Sequence, residues 1–534
     1  MALTCNVGFW GVLAQSGADG TAQTMPHLLS FALLAIGLTS LVLLLLAVGH
    51  ATRPLLALAL PVAAAAGYFT AHYGTLFDKT MLVNIVETNA TEARELISLP
   101  LLAIIAVVGV LPAILVLRTT LPRRKFVPAA AQRALGILIA VGLIAVPLFL
   151  DQKIVFSVAR NHRELAHMIA PVDVISASYS LLEDRFDTPP EFETVARDAT
   201  LVLPSAGDER PNVHVIIVGE TARAANFSLN GYARQTNPHL ASQAVFNFPD
   251  VSSCGTATAQ SLPCMFSIQT QDEFDDERSK YQDNLLDIAA RAGYDVYWID
   301  NGNNCKGVCT RVNSRDLHLS GIAPICTKDQ CFDEILVSEL EKLLPAIRRD
   351  TLIVLHQLGS HGPAYYRRYP DEYRQFVPDC RSDDLGACTN EEITNSYDNT
   401  IVYTDYVISQ TIDVLSTAAA HLNTSLLYVS DHGESLGEHN LYLHGMPRQF
   451  APDEQTHVPM LAWFSDRALR EQGLTAQCGA AVGEQPASHD NLFHTEMGLL
   501  GIRSEAYEPG MDVFSPCRTT LHADANGDPA DSPT

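Results

Sequence analysis

Several apolar, β-like runs in the second half of the chain stop abruptly at residues able to hold a metal ion or an anion. V-H-V-I-I-V-G runs into Glu220 and Thr221, D-T-L-I-V-L-H-Q-L-G leads to Ser360-His361-Gly362-Pro363, and S-L-L-Y-V-S ends at Asp431-His432-Gly433-Glu434. Carboxylates with one or more imidazoles are O and N donors suited to Zn2+. A lone histidine of this kind is ordinarily no more than a polar side chain. It is the repetition at several strand ends that gives the pattern chemical meaning. His356 and His439 lie nearby in the chain, and the pattern assigns neither of them as a ligand.

A second element is S-S-C-G-T-A-T-A-Q-S-L-P-C-M-F-S, from Ser252 to Ser267. Small residues bracketed by Cys254 and Cys264 read as a tight turn whose hydroxyls sit at a helix start. A helix N-terminus and a metal both favour an oxyanion there. A threonine hydroxyl is a weak nucleophile at neutral pH, and metal coordination is one way to activate it. On residue chemistry alone, Thr256, Thr258 and Ser261 are equally eligible.

The elements that must position these groups follow from the hydrophobic pattern. The β-like runs alternate with helical stretches, which implies α/β architecture with a largely parallel sheet between helices. Ligands in such folds gather at the carboxyl ends of the strands, where all these motifs lie. Upstream, four segments at about 28–49, 54–73, 99–117 and 134–150 are long and apolar enough to span a bilayer as helices. Residues 1–26 make no convincing span.

Arg118, Arg123, Arg124, Lys125 and Arg133 lie between the third and fourth segments with no acidic residue among them, which makes that loop cytoplasmic. Everything after the fourth segment then faces the far side of the membrane, the periplasm of a Gram-negative cell. Cysteine usage agrees. Ten of eleven cysteines lie between Cys254 and Cys517, with close pairs at Cys254 and Cys264, Cys305 and Cys309, Cys326 and Cys331, and Cys380 and Cys388. This spacing reads as short-loop disulfides in an oxidising compartment rather than a zinc ribbon, which would need repeated C-x-x-C. Cys478 and Cys517 are available for a fifth pair, leaving Cys5 over.

The net charge of −25 excludes a partner that needs a broad basic face, such as a nucleic acid. An acidic chain acting on anionic lipids must supply positive charge locally, from metal ions and a few placed Lys or Arg residues. In the second loop, also periplasmic, Asn84, Thr88 and Glu92 recur every four residues and would share one polar face of a helix. Five regions result: an atypical segment 1–26, a transmembrane helical domain 27–154, interfacial bridging helices 155–205, a periplasmic catalytic domain 206–520, and a tail 521–534 too poor in core-forming residues to fold.

The motifs V-G-E-T-A-R, N-G-Y-x-R, S-C-G-T-A-T-A, K-G-V-C, S-H-G-P-A-Y-Y, D-H-G-E-S-L-G-E and Y-L-H-G-M-P occur in order across residues 218–447. In them the chain resembles the lipid A phosphoethanolamine transferases, the group that includes the transferable colistin-resistance enzymes. The resemblance implies an alkaline phosphatase-like α/β/α catalytic domain and transfer of phosphoethanolamine from phosphatidylethanolamine to lipid A through a phospho-threonine intermediate. Resistance to polymyxins and other cationic peptides would follow. By the same resemblance Thr258 is the nucleophile, and one zinc is tightly held by Glu220, Thr258, Asp431 and His432. His361 and His444 match positions for a second zinc or the substrate phosphate. Lys306 matches a substrate-contacting lysine, and Asn84, Thr88 and Glu92 match residues that hold the ethanolamine head group. A monomer in the inner membrane is the expected state. Such families usually carry five membrane helices, one more than this chain provides. The alternatives are transfer to another envelope acceptor, such as a core sugar or glucan, and a membrane-anchored phosphatase-type hydrolase. A sulfatase is disfavoured because Ser261-Leu262-Pro263-Cys264-Met265 lacks the arginine of the sulfatase motif.

Overall fold

The computed structural model describes residues 1–16, 25–46, 49–88, 90–120, 126–186, 190–202, 210–302 and 304–518. The expected tail 521–534 and the basic residues Arg123, Arg124 and Lys125 lie outside the described residues. The chain forms two compact units, Met1–Asp187 with Gly437–Phe450, and Thr188–Leu436 with Ala451–Thr534.

Among the described residues of the first unit, four helices are long and apolar enough to cross a membrane: Leu28–Leu46, Gly49–Tyr73, Leu99–Arg118 and Val127–Leu150. Ahead of them, Val7–Ser16 is a helix of only 10 residues, too short for a bilayer. The third spanning helix contains a π-helical turn at Ile105–Val110. There Gly109 passes Pro61 so closely that an added Cβ would come within 2.6 Å of the proline Cα, the kind of approach that small residues allow between membrane helices.

One expectation is corrected in this unit. Asn84, Thr88 and Glu92 do not share a continuous helix face, because the helix Lys79–Glu87 ends at Thr88, whose ψ of 127° is extended. The Thr88 N–H and hydroxyl both donate back to the Asn84 carbonyl, at 2.8 and 2.6 Å. A side chain that bonds its own backbone in this way competes with helix continuation. Glu92 belongs to a separate helix, Ala90–Glu95.

The second unit is built on one eight-stranded sheet. Its strands, numbered in chain order, are β1 (Asn212–Gly219), β2 (Phe246–Ser252), β3 (Asp295–Asp300), β4 (Asn313–Asp316), β5 (Thr351–His356), β6 (Asn423–Ser430), β7 (His457–Phe464) and β8 (Ala487–Ser488). The spatial order is β8-β2-β7-β6-β1-β5-β3-β4, parallel throughout except that β7 runs antiparallel to both β2 and β6. β1, β5 and β6 are almost continuous runs of Val, Ile and Leu because both sheet faces are covered; Val215, Ile216, Val354, Leu426 and Leu427 are all fully buried. Their register sets Val218 against His356 on one side and Gly219 against Ser430 on the other. Three motif-bearing strand ends are thereby brought side by side. Disulfides join Cys254–Cys264, Cys305–Cys309, Cys326–Cys331, Cys380–Cys388 and Cys478–Cys517, and Cys5 is free.

Candidate active site

Glu220 follows β1, and Asp431 and His432 follow β6. Their ligand atoms lie within 4.8 Å of one another, and all three side chains are buried. Backbone groups set the posture of each. The Thr221 N–H, at a left-handed φ of 60°, and the His432 N–H donate to Asp431 Oδ1 at 3.1 and 2.7 Å. Asp431 Oδ2 has no hydrogen-bond partner among the described residues. His432 Nδ1 faces the Gly433 carbonyl at 2.9 Å. A carbonyl can only accept, so Nδ1 carries a proton, and in the neutral imidazole Nε2 presents its lone pair to the cluster. That nitrogen is 3.4 Å from both Glu220 Oε1 and Asp431 Oδ2.

Burial, and then the charge of Glu220, push the Asp431 carboxyl well above its ordinary range. Two carboxylates held together away from water repel unless a proton or a cation lies between them. With one oxygen left unpartnered and a correctly oriented imidazole, the cluster fits a Zn2+ ion.

Thr258 opens the helix Thr258–Met265 after the extended residue Ala257. Its hydroxyl lies 3.3 and 3.1 Å from the two Glu220 oxygens and 3.4 Å from His432 Nε2. Geometry therefore separates two of the three hydroxyls that residue chemistry leaves open, Thr258 and Ser261. Ser261 donates to the Asp431 carbonyl, while Thr258 faces the carboxylates and the imidazole. The Cys254–Cys264 disulfide closes the loop around the turn.

Other predicted residues are distributed around this centre or away from it. Ser360, next to His361, donates its N–H to the Glu220 carbonyl at 2.9 Å. The His361 Nδ1 faces the Gly362 carbonyl at 2.8 Å, so in the neutral imidazole Nε2 is the acceptor nitrogen. Lys306 stands at a left-handed φ of 47° in the Cys305–Cys309 loop and lines a cavity of about 210 Å³ with Pro263, Ser267 and Arg311. His444 belongs to the first unit. Beside it, Gly445 at φ 87° lacks a Cβ that would come within 2.7 Å of Met81 Cε and 3.6 Å of Asn84 Nδ2. The His444 segment thus runs along the helix that carries Asn84.

Two groups here have no clear signal in the sequence. His356, fully buried, bonds the Asp300 carboxylate through Nδ1 at 3.3 Å, and its Nε2 lies 4.0 Å from Glu220 Oε2. Burial alone would lower the imidazole pKa, but the Asp300 carboxylate, its hydrogen bond and then Glu220 raise it above its ordinary value. The Trp298 indole N–H donates to the same Asp300 oxygen, Oδ2, at 2.8 Å. His489, buried ahead of the helix Asp490–Leu499, touches the backbone of both the hydroxyl-bearing loop and the β6 end. Its only sequence cue is the run S-H-D-N-L-F-H-T, which has no recognisable chemistry.

Comparison with known proteins agrees with this architecture. A family model described as phosphoethanolamine transferase EptA/EptB matches residues 35–186, and a sulfatase model matches residues 211–502. The chain is 37% identical to phosphoethanolamine transferase EptA of Escherichia coli K12, over 97% of this chain and 95% of that one. It is 35% identical to phosphatidylethanolamine transferase Mcr-1 of Escherichia coli, over 94% and 93%. The structure of the integral membrane lipooligosaccharide phosphoethanolamine transferase A from Neisseria meningitidis superposes with a TM-score of 0.92 at 34% identity, covering 97% of this chain and 96% of that one.

Proposed function

This chain belongs to the phosphoethanolamine transferase family of the EptA type, and from that premise we propose that it moves phosphoethanolamine from phosphatidylethanolamine to a phosphate of lipid A, with Thr258 as nucleophile. The observation that carries this reading is the Thr258 hydroxyl at a helix start, 3.1 Å from a Glu220 oxygen and 3.4 Å from the lone-pair nitrogen of His432.

Zinc held by Glu220, Thr258, Asp431 and His432 would lower the pKa of the hydroxyl and offset charge on the phosphoryl oxygens. The chain's own groups do the rest. Thr258 Oγ1 attacks the donor phosphorus, a new P–O bond forms, and the bond to diacylglycerol breaks as that alcohol leaves with a proton. A lipid A phosphate oxygen then attacks the phosphorus on Thr258, and the P–Oγ bond breaks to restore the threonine. The helix N-terminus and Lys306 offset charge on the equatorial oxygens in both steps. By family resemblance His361 and His444 each match positions that would meet a second zinc or the substrate phosphate, and Asn84, Thr88 and Glu92 match positions for the ethanolamine head group. Each transfer adds an ammonium to an anionic lipid surface, which weakens its attraction for polymyxins and other cationic peptides. The five disulfides and the basic loop before Val127 support an inner-membrane protein with its catalytic unit in the periplasm.

The test is mass spectrometry of lipid A from a polymyxin-sensitive Gram-negative host expressing the chain, beside Thr258→Ala. The expected result is a phosphoethanolamine mass increment that disappears in the variant. No increment from membrane-inserted wild-type protein would move the reading to another acceptor or to hydrolysis, and an increment retained by Thr258→Ala would remove the nucleophile assignment.

A further inference from the structure

Thr258 and His432, which it faces, are 174 residues apart in the chain, and their separation must be closely set for the hydroxyl to act. The disulfide Cys254–Cys264 closes the hydroxyl-bearing loop on itself, but it makes no link to the end of β6. One link is His489, which is 2% exposed.

The imidazole lies between two backbone groups of opposite kind. On one side the Cys254 N–H donates to Nδ1 at 3.1 Å. On the other, Nε2 is 2.9 Å from the carbonyl of Ser430, the residue before Asp431. An amide N–H can only donate and a carbonyl can only accept, so the ring is neutral, with its hydrogen on Nε2. The ring itself is anchored, because the His489 N–H donates to the Ser252 carbonyl at 2.9 Å. Ser261 adds a short cross-link, donating to the Asp431 carbonyl and lying 3.4 Å from His489 Nδ1. The bridge therefore spans from four residues before Thr258 to one residue before Asp431.

We infer that His489 is a positioning residue that sets the distance between the Thr258 hydroxyl and the Asp431–His432 ligand pair through this two-sided backbone bridge. Its ring bonds to Cys254 and Ser430 both go to backbone groups. The inference rests on the reading of Thr258 as nucleophile, and it adds a determinant of how well that hydroxyl is presented. A displacement of about 1 Å at a reacting atom costs on the order of 100-fold in rate, so a bridge of this kind acts on kcat and leaves donor binding unchanged.

The experiment compares full-length His489→Phe, His489→Asn and His489→Gln with Thr258→Ala in lipid vesicles containing phosphatidylethanolamine and lipid A, with zinc content and thermal midpoint measured alongside. Phe fills the space of the ring but neither donates nor accepts. The Asn Oδ1 replaces the acceptor offered to Cys254, and the Gln Nε2 replaces the donor offered to Ser430. The expected result is that Phe lowers kcat on the order of 10-fold to 100-fold with donor KM and zinc content unchanged, while Asn and Gln each recover part of the loss. A wild-type kcat in Phe, or losses that merely follow the thermal midpoint in all three variants, would overturn the bridge while a silent Thr258→Ala kept the nucleophile. An active Thr258→Ala would overturn both. If Phe does not fold, the recovery of kcat at equal thermal midpoint in Asn and Gln decides the question.

Discussion

In the first unit Leu99, Leu138 and Phe149 are 80%, 67% and 81% exposed, whereas in the second Ile216, Leu427 and Val429 are completely buried. The same residue types meet different surroundings. Lipid tails are as apolar as leucine, so a spanning helix gains nothing by hiding its side chains and coheres instead through close backbone approach, as where Gly109 passes Pro61. The sheet unit is surrounded by water and holds together by burying its strands on both faces. Buried charge differs too. In the first unit Asp173 is 4% exposed, and its Oδ2 has no hydrogen-bond partner among the described residues. In the second, Glu220 and Asp431 are brought together with an imidazole. An isolated buried carboxyl takes up a proton, while a pair with a lone-pair nitrogen invites a metal.

The largest expected effect probes the paired carboxylates. Asp431→Asn should lose zinc and lower transfer by about 1,000-fold or more, read by metal analysis and product formation. It should also make the metal-free protein more stable than metal-free wild type, because it replaces a carboxyl whose ionised form burial and Glu220 both disfavour. Full zinc retention with normal transfer would show that the cluster is structural.

A smaller effect compares one substitution in two surroundings. Leu427→Ala in β6 should cost about 2–5 kcal/mol in a denaturation experiment, whereas Leu138→Ala on a spanning helix should stay within about 0.5 kcal/mol. Equal costs would mean that Leu138 is covered by protein rather than lipid.

The smallest effect concerns Asp173. Burial pushes its carboxyl from 3.8 to about 7. For an acid raised on folding, the native state binds the extra proton, so stability falls as pH rises through that window and the penalty is complete above it. The thermal midpoint should therefore decline between pH 4 and 7, and Asp173→Asn should flatten that part of the profile. An unchanged slope in Asp173→Asn would place the titration elsewhere.

Much of this organisation was legible in the chain. Long apolar helices are local objects, and apolar runs in the sequence declared the four among the described residues. The metal-competent residues were visible because parallel strands end where ligands gather, so Glu220, Asp431 and His432 announced themselves by position. The helix break at Thr88 was not legible, because its cause is a side chain bonding its own backbone rather than a change of hydrophobic period. His489 was hidden for a different reason. Its role depends on which backbone groups lie on either side of the ring, and those come from residues more than fifty positions away.

By itself, then, the sequence determined where the long apolar helices lie, the disulfide spacing and the donor types available for a metal. These follow from composition and short-range pattern, which act along the chain. Tertiary structure alone decided that Thr258 faces the cluster while Ser261 bonds the Asp431 carbonyl, that His432 presents Nε2, and that β7 runs against its neighbours. Those outcomes depend on how β1, β5 and β6 are registered and on where the loop after β2 is held. A hydroxyl's direction is set by contacts across the fold, which no local pattern encodes.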